Sequence, residues 1–201
     1  MMIIMRKTQA NIRTAAKEAS HERIVQAAAR AIRRSGYDGT GVADIMKEAG
    51  LTHGAFYAHF ASREAMLAEA ADRAGAQSNA ATAAAVASVA PQQAMETLIR
   101  SYLSQAHQEA TETGCPIAAL VSEMPRQSPE VRRAATRHIK GAIDLIAQQS
   151  ADWGQAAAHE RALVIAATLV GTLALVRAVD DPALADRMRE ATIAHLLSLV
   201  R

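Results

Sequence analysis

Residues 36–67 read GYDGTGVADIMKEAGLTHGAFYAHFASREAML, and their punctuation decides the fold. Thr40 stands where it can cap a short helix from about Val42 to Ala49, with Asp44 in the first turn, where negative charge is favoured. Gly50 ends that helix. Thr52 can cap a second, His53 to Phe60, and Ser62 a third, with Glu64 in its first turn. The first short helix offers Val42, Ile45 and Met46 as an apolar face, and the second offers Phe56 and Phe60 at i and i+4. Two such helices joined through Gly50 are expected to lock as a helix-turn-helix. Thr52, His53, Gly54, Ala55, Tyr57, Ala58 and His59 are left facing outward. Small residues let a backbone approach a surface closely. Residues at a recognition helix N-terminus reach base edges.

Helical patterning continues on both sides. Segment 18–35 places Ile24, Ala27, Ala28, Ala31 and Ile32 on one face. Gly36 stops it near Arg33 and Arg34, which suit a helix C-terminus and read as its solvated end, with phosphate contact as the rival. The helix opened at Ser62 is expected to run to about Asn79 or beyond, since Ala keeps residues 75–90 helix-competent, with a loop before Pro91. Pro91 starts one to about Thr111, and Cys115-Pro116 another to about Met124. Ser128 and Pro129 open a helix whose face carries Val131, Ala134, Ala135, His138, Ile139, Ala142, Ile143 and Ile146. Residues 156–179 are apolar nearly all round, and a last helix follows Pro182. No strand pattern or internal repeat is visible. The expectation is an all-α fold of about nine helices: a basic tail (1–17), a helix-turn-helix domain (18–68) and a helical body (69–201).

Composition agrees. The 201 residues include 48 Ala, the best helix former and a poor strand former. One cysteine excludes a disulfide framework and a multi-Cys zinc site. The longest apolar run, Ala162 to Val176, has 15 residues, short of the ~20 that cross a bilayer. The start MMIIMRKTQA is too short an apolar stretch for a signal peptide. A cytoplasmic protein without a membrane partner is expected. The net charge of +2 hides a division: residues 1–74 carry 11 Lys and Arg against 8 Asp and Glu, and the remainder 11 against 12. Four of the six aromatics also lie in that basic part. A basic head can meet phosphate; a merely solvated charged face is the alternative.

The stretch resembles the DNA-binding domain of TetR/AcrR-type transcriptional repressors. Ile24, Ala28, Gly36, Tyr37, Thr40, Val42, Ile45, Ala49, Gly50, Leu51, Thr52, Gly54, Phe56, Tyr57, His59, Phe60, Ser62, Glu64 and Leu67 match in one register. The resemblance implies a homodimer that binds a palindromic double-stranded DNA operator and is released by a small-molecule effector. It implies phosphate contacts at Thr40, Tyr57, His59 and Arg63, and groove-facing roles for Thr52, His53, Gly54 and Ala55. Gly41 departs from the family's usual Ser or Thr, so capping there falls to Thr40 or the bare backbone. Residues 6–17 read either as a DNA-reaching arm or as a disordered tail.

The body needs a second task. Leu169, Leu173 and Val176, with Leu184, Met188, His195 and Leu199, are the expected dimer face on the last two helices. Met95, Ile99, Tyr102, His107, Cys115, Leu120, Met124 and Trp153 are candidates for a mostly apolar effector pocket, with plain core packing as their rival. Cys115 reads as an electrophile or redox sensor or as a small buried hydrophobe. No nucleophile–base pair, HExxH or phosphate loop marks an enzyme, and no metal or cofactor is expected. The remaining alternative is a helical ligand-binding or scaffolding dimer without specific DNA binding.

Overall fold

The computed structural model describes residues 2–200, with side chains from Arg13 onward. Met1, Arg201 and the side chains of Arg6 and Lys7 from the expected basic tail lie outside the described set. Among the described residues the fold is all-α, with nine α-helices, two short 3-10 turns and no strand. The helices are α1 (Met2–Ser35), α2 (Val42–Glu48), α3 (Arg63–Ala87), α4 (Pro91–Tyr102), α5 (Gln105–Glu109), α6 (Pro116–Leu120), α7 (Pro129–Ala147), α8 (Ala156–Ala178) and α9 (Pro182–Leu199). A 3-10 turn at His53–Ala58 is the second helix of the motif, and another lies at Met124–Arg126. The backbone of the expected tail is continuous with α1, and Arg13 and Lys17 are exposed on it.

The head closes as its apolar spacing requires. Ile24, Ala28 and Ile32 of α1 meet Ile45 and Met46 of α2, with Phe56 and Phe60, all buried. The Phe56 and Phe60 rings stack at 5.6 Å. Gly36 and Gly50 take φ of +74° and +70°, a backbone region open to glycine at little cost. Ser62 accepts the Ala65 N–H at 3.1 Å, capping α3. The same core runs on beyond residue 68 into Ala70 and Ala74, and takes in Leu120 of α6 and Val131 and Ala134 of α7. α3 is the spine of the molecule: it packs on α1, α4 and α7.

The body agrees with the sequence reading in one place and differs in two. α3 runs on past Asn79 to Ala87, as the helix-competent Ala-rich stretch allows. The helix from Pro91 breaks at Tyr102, and Ser104 caps a new one by accepting the His107 N–H at 3.1 Å. A serine hydroxyl competes for backbone donors and so favours a cap over a helix interior. The second difference is the register of α8. Leu169, Leu173 and Val176 are buried within their own chain, so they are not an outward face. Its outward side carries Val164 and Leu175, 56% and 55% exposed, with Ala167 and Gly171 between them. On α9, Leu184 and Met188 are half-buried while His195 and Leu199 are exposed, as a surface stripe requires. Length and hydropathy alone would let α8 pass for a membrane span. Here it packs against α5, α6, α7 and α9, and only 33% of its most apolar window is buried.

Truncating Phe56, 3% exposed, removes a ring from the junction of the motif helices. Phe56→Ala should lower unfolding stability by about 3–5 kcal/mol in urea titrations. A loss under about 1 kcal/mol would show that this ring does not hold the motif together.

Candidate nucleic-acid interface and the cavity behind it

The outward side of the His53–Ala58 turn is free of packing. Tyr57 is 74% exposed, its ring edge-on to Phe56 at 5.3 Å. Thr52, His53, Gly54 and Ala58 are exposed, and Ala55 is half-buried against the head core. Thr52 adopts the N-cap backbone conformation but makes no side-chain cap bond, which leaves its hydroxyl available. His59 is half-buried between His21 and Phe60, and its buried Nδ1 has no partner. Burial, with His21 and Lys17 nearby, lowers its pKa and favours the neutral ring. Lys17 therefore lies beside this face. The sequence reading left it in a tail because a helix running back to Met2 has no local punctuation to announce it.

Three polar residues at this edge turn inward, and two more pair with carboxylates on the surface. Thr40 is buried and its hydroxyl donates to the Gly36 carbonyl at 2.6 Å, so α2 starts on the bare backbone of Gly41. Arg63 donates to the carbonyls of Tyr37 and, at 3.2 Å, Thr40, strapping the loop before α2. Arg33 is no solvated helix end. It is buried and donates to the carbonyls of Ala74 and Glu112, both at 2.8 Å, and to Gln77 Oε1 at 3.0 Å. Arg34 pairs with the carboxylates of Glu112 at 2.8 Å and Glu48 at 3.4 Å, and Arg30 reaches Glu48 at 2.7 Å.

Residues 24–70 match the family described as bacterial regulatory proteins, tetR family, and residues 91–191 match the transcriptional regulator LmrA/YxaF-like C-terminal domain. The chain belongs to the tetR family of transcriptional regulators. This tetR-family chain is 32% identical over 169 residues to an uncharacterized HTH-type transcriptional regulator of Mycobacterium tuberculosis (strain ATCC 25618 / H37Rv), covering 80% of this chain and 85% of that one. A TetR transcriptional regulator from Chloroflexus aurantiacus J-10-FL superposes with a TM-score of 0.75 at 25% identity, over 92% of this chain and 95% of that one. The reduced form of Escherichia coli NemR shares the fold, with a TM-score of 0.74 at 21% identity over 88% and 94%.

Behind the head, the body of this tetR-family regulator holds a cavity of about 530 Å³ between α3, α4, α6, α7 and α8. Tyr102 and Cys115 line it, as expected from the sequence. The other six ligand candidates do not. Met95 and Ile99 are buried in the core shared by α4, α8 and α9. Leu120 and Met124 pack with the head core, and Trp153 is 53% exposed. His107 stands behind the wall. These residues neighbour one another in the chain, but the break at Ser104 and the turn at Met124 send them to different layers. The wall that was missed comes from α3, α7 and α8, including Asn79, Ile139, Ile143, Ile146, Leu163 and Val170. Its one sequence signal was the apolar stripe of α7, read as one face of a helix and assigned to no pocket.

A hydrogen-bonded segment joins this wall to the head. His107 Nδ1–H donates to the Tyr102 carbonyl at 2.7 Å, and Nε2 accepts the Cys115 N–H at 3.0 Å, which fixes the tautomer. Arg177 of α8 donates to the carbonyls of His107 at 2.8 Å and Gln108 at 3.1 Å. Farther along, Glu112 carries Arg33 and Arg34, and the Glu123 carboxylate accepts the Tyr37 N–H at 2.8 Å. Residues 102–123 thus run from the cavity to the first turn of the head.

Burial lowers the His107 pKa, Arg177 adds to this, and the Tyr102 carbonyl opposes it. The folded chain therefore holds a neutral ring, while the unfolded chain takes up a proton below about 6.5. The stability tied to this ring is full above that value and is lost as pH falls through the lowered folded pKa. Unfolding titrations from pH 8 to 5 should show an acid slope that is shallower in His107→Gln. An identical slope would contradict the assigned tautomer and its burial.

Proposed function

We propose that this tetR-family protein is a repressor. It binds a palindromic double-stranded DNA operator as a homodimer and lets go when a small molecule occupies the body cavity. The observation that carries the reading is the unpacked face of Thr52, His53, Gly54 and Tyr57 on a turn whose opposite side is locked by Phe56. An exposed aromatic hydroxyl among small residues costs the fold surface exposure and gives it nothing, whereas in a groove it gains contacts to phosphate and base edges. Such a role belongs in the cytoplasm, where the chromosome is.

In this reading Tyr57 and His59 meet phosphate, with Lys17 and Arg13 adding charge from α1. Thr52, His53, Gly54 and Ala55 face the groove. Thr40 and Arg63 act from within, by holding the loop that aims α2. The outward stripes of α8 and α9 support the homodimer: Val164, Gly171 and Leu175 with Leu184, Met188, His195 and Leu199 offer an apolar surface that a second copy can bury. The segment 102–123 supports effector release, since it touches both the cavity and the head.

Operators are to be selected from random DNA with the purified protein and then used in mobility shifts. A palindrome should emerge, and affinity should fall steeply with salt as phosphate contacts release counterions. Tyr57→Ala should weaken operator binding at least about tenfold, with stability unchanged within about 0.5 kcal/mol. No enriched site, or full affinity in Tyr57→Ala, would refute the reading. Leu175→Glu, at a 55% exposed position, should sediment as a monomer and bind the operator weakly. A dimer persisting in that variant would remove α8 from the interface.

A further inference from the structure

The body cavity has an unusual polar inventory. Among its described lining residues there is no Asp, Glu, Lys or Arg. His138 is held by the Asp72 carboxylate at 3.0 Å. The Asn79 amide donates to the His138 carbonyl at 3.0 Å, and the Thr82 hydroxyl donates to the Ser78 carbonyl at 3.1 Å. The nearest guanidinium at the α6 end, Arg177, is spent on the carbonyls of residues 107, 108 and 110. Of the buried side-chain oxygens and nitrogens without a partner among the described residues, one belongs to the cavity lining. The Tyr102 hydroxyl is buried beside the Cys115 thiol, a weak hydrogen-bonding group, and no oxygen or nitrogen meets it. Burial, reinforced by Cys115, pushes its pKa up, so the phenol keeps its proton and is a donor. Its ring is held edge-on to His107 at 4.8 Å, and His107 is itself fixed by two backbone bonds.

We infer that the cavity takes an uncharged, predominantly apolar small molecule carrying a hydrogen-bond acceptor that receives the Tyr102 hydroxyl. This deepens the effector reading above and rests on it. Three constraints select the class. Walls such as Ile143, Ile146, Leu163 and Val170 reward apolar surface. A charged ligand would lose its hydration with no counter-charge to meet. A buried donor that meets only a thiol is poorly satisfied, at a cost in free energy, and an oxygen or nitrogen acceptor brought to it removes that cost while fixing the ligand's orientation. A volume of about 530 Å³ suits a molecule of drug size. The anchor also lies where a signal has to start, because the Tyr102 backbone carbonyl holds His107, whose ring holds Cys115.

The test uses Nile red, a neutral apolar dye bearing a carbonyl, with full-length protein and no DNA. Its fluorescence should rise on binding, and Ala142→Trp, which fills the cavity, should abolish the rise. Three competitors of nearly one shape then separate the terms: benzophenone, 1,1-diphenylethylene, which lacks the carbonyl oxygen, and 4-benzoylbenzoate, which adds a negative charge. Benzophenone should displace the dye at a concentration about fivefold lower than the alkene, the worth of one neutral hydrogen bond. The carboxylate should be the weakest. In Tyr102→Phe the ketone–alkene ratio should fall to about one, while the dye still binds and the fold is intact because the lost hydroxyl meets only the Cys115 thiol. The proposal is overturned if no dye binds, if dye binding survives Ala142→Trp, if ketone and alkene compete equally in the wild type, if the ratio persists in Tyr102→Phe, or if the carboxylate competes best. None of these outcomes touches DNA recognition, which the mobility shifts read separately.

Discussion

The guanidinium of Arg33 lies buried at the end of α1, its donors spread over the carbonyl of Ala74 in α3, the carbonyl of Glu112 before α6 and the side chain of Gln77. Burial lowers its pKa, so the surroundings tax the charge, and carbonyl dipoles rather than a carboxylate offset that cost. Remove the charge and at least two buried carbonyls lose a donor. Because α1 is thereby tied to α3 and to the segment before α6, one side chain fixes where the head stands on the body. The apolar contacts of Leu120, Val131 and Ala134 with the head core reinforce the same joint.

This joint divides the labour of the basic residues. Arg33 and Arg63 face inward as clamps on carbonyls, and Arg30 is spent on Glu48 at the surface. Tyr57, Lys17 and the exposed rim of the turn remain for a partner. A clamp and a phosphate contact need the same chemistry, a guanidinium with several donors, and differ only in what the fold puts opposite them. Charge counting along the chain sees both alike. The head is therefore less positive toward solvent than its sequence implies, and recognition falls on fewer groups.

Much of the fold was legible for a physical reason. α1, α2 and the 53–58 turn each present one apolar face, so Ile24, Ile45, Met46, Phe56 and Phe60 could be placed inward from spacing alone, and Tyr57 outward by exclusion. α8 was different. A helix apolar nearly all round has no periodic face to read, and Leu169, Leu173 and Val176 were assigned to the wrong side of it. The cavity was harder still. Met95, Ile99, Leu120 and Met124 are close to Tyr102 and Cys115 in the chain, but Ser104 breaks the helix between them and tertiary packing distributes the rest. Thr40 shows the limit at the scale of one residue: its hydroxyl suits a cap, a phosphate or the Gly36 carbonyl, and only the loop geometry chooses the last.

The central claim is that the Arg33 joint makes head and body move as one unit, so that a change at residues 102–123 reaches the DNA-reading face. The direct test is the distribution of head-to-body distances. Spin labels at Lys47→Cys and Gln155→Cys, in a Cys115→Ser background with labelled subunits diluted into unlabelled ones, report it by pulsed electron–electron resonance. A single narrow distance is expected with Arg33 present, and a broadened one in Arg33→Met with helix content unchanged. An equally narrow distance in Arg33→Met would contradict the account and leave apolar packing alone to set the head's position.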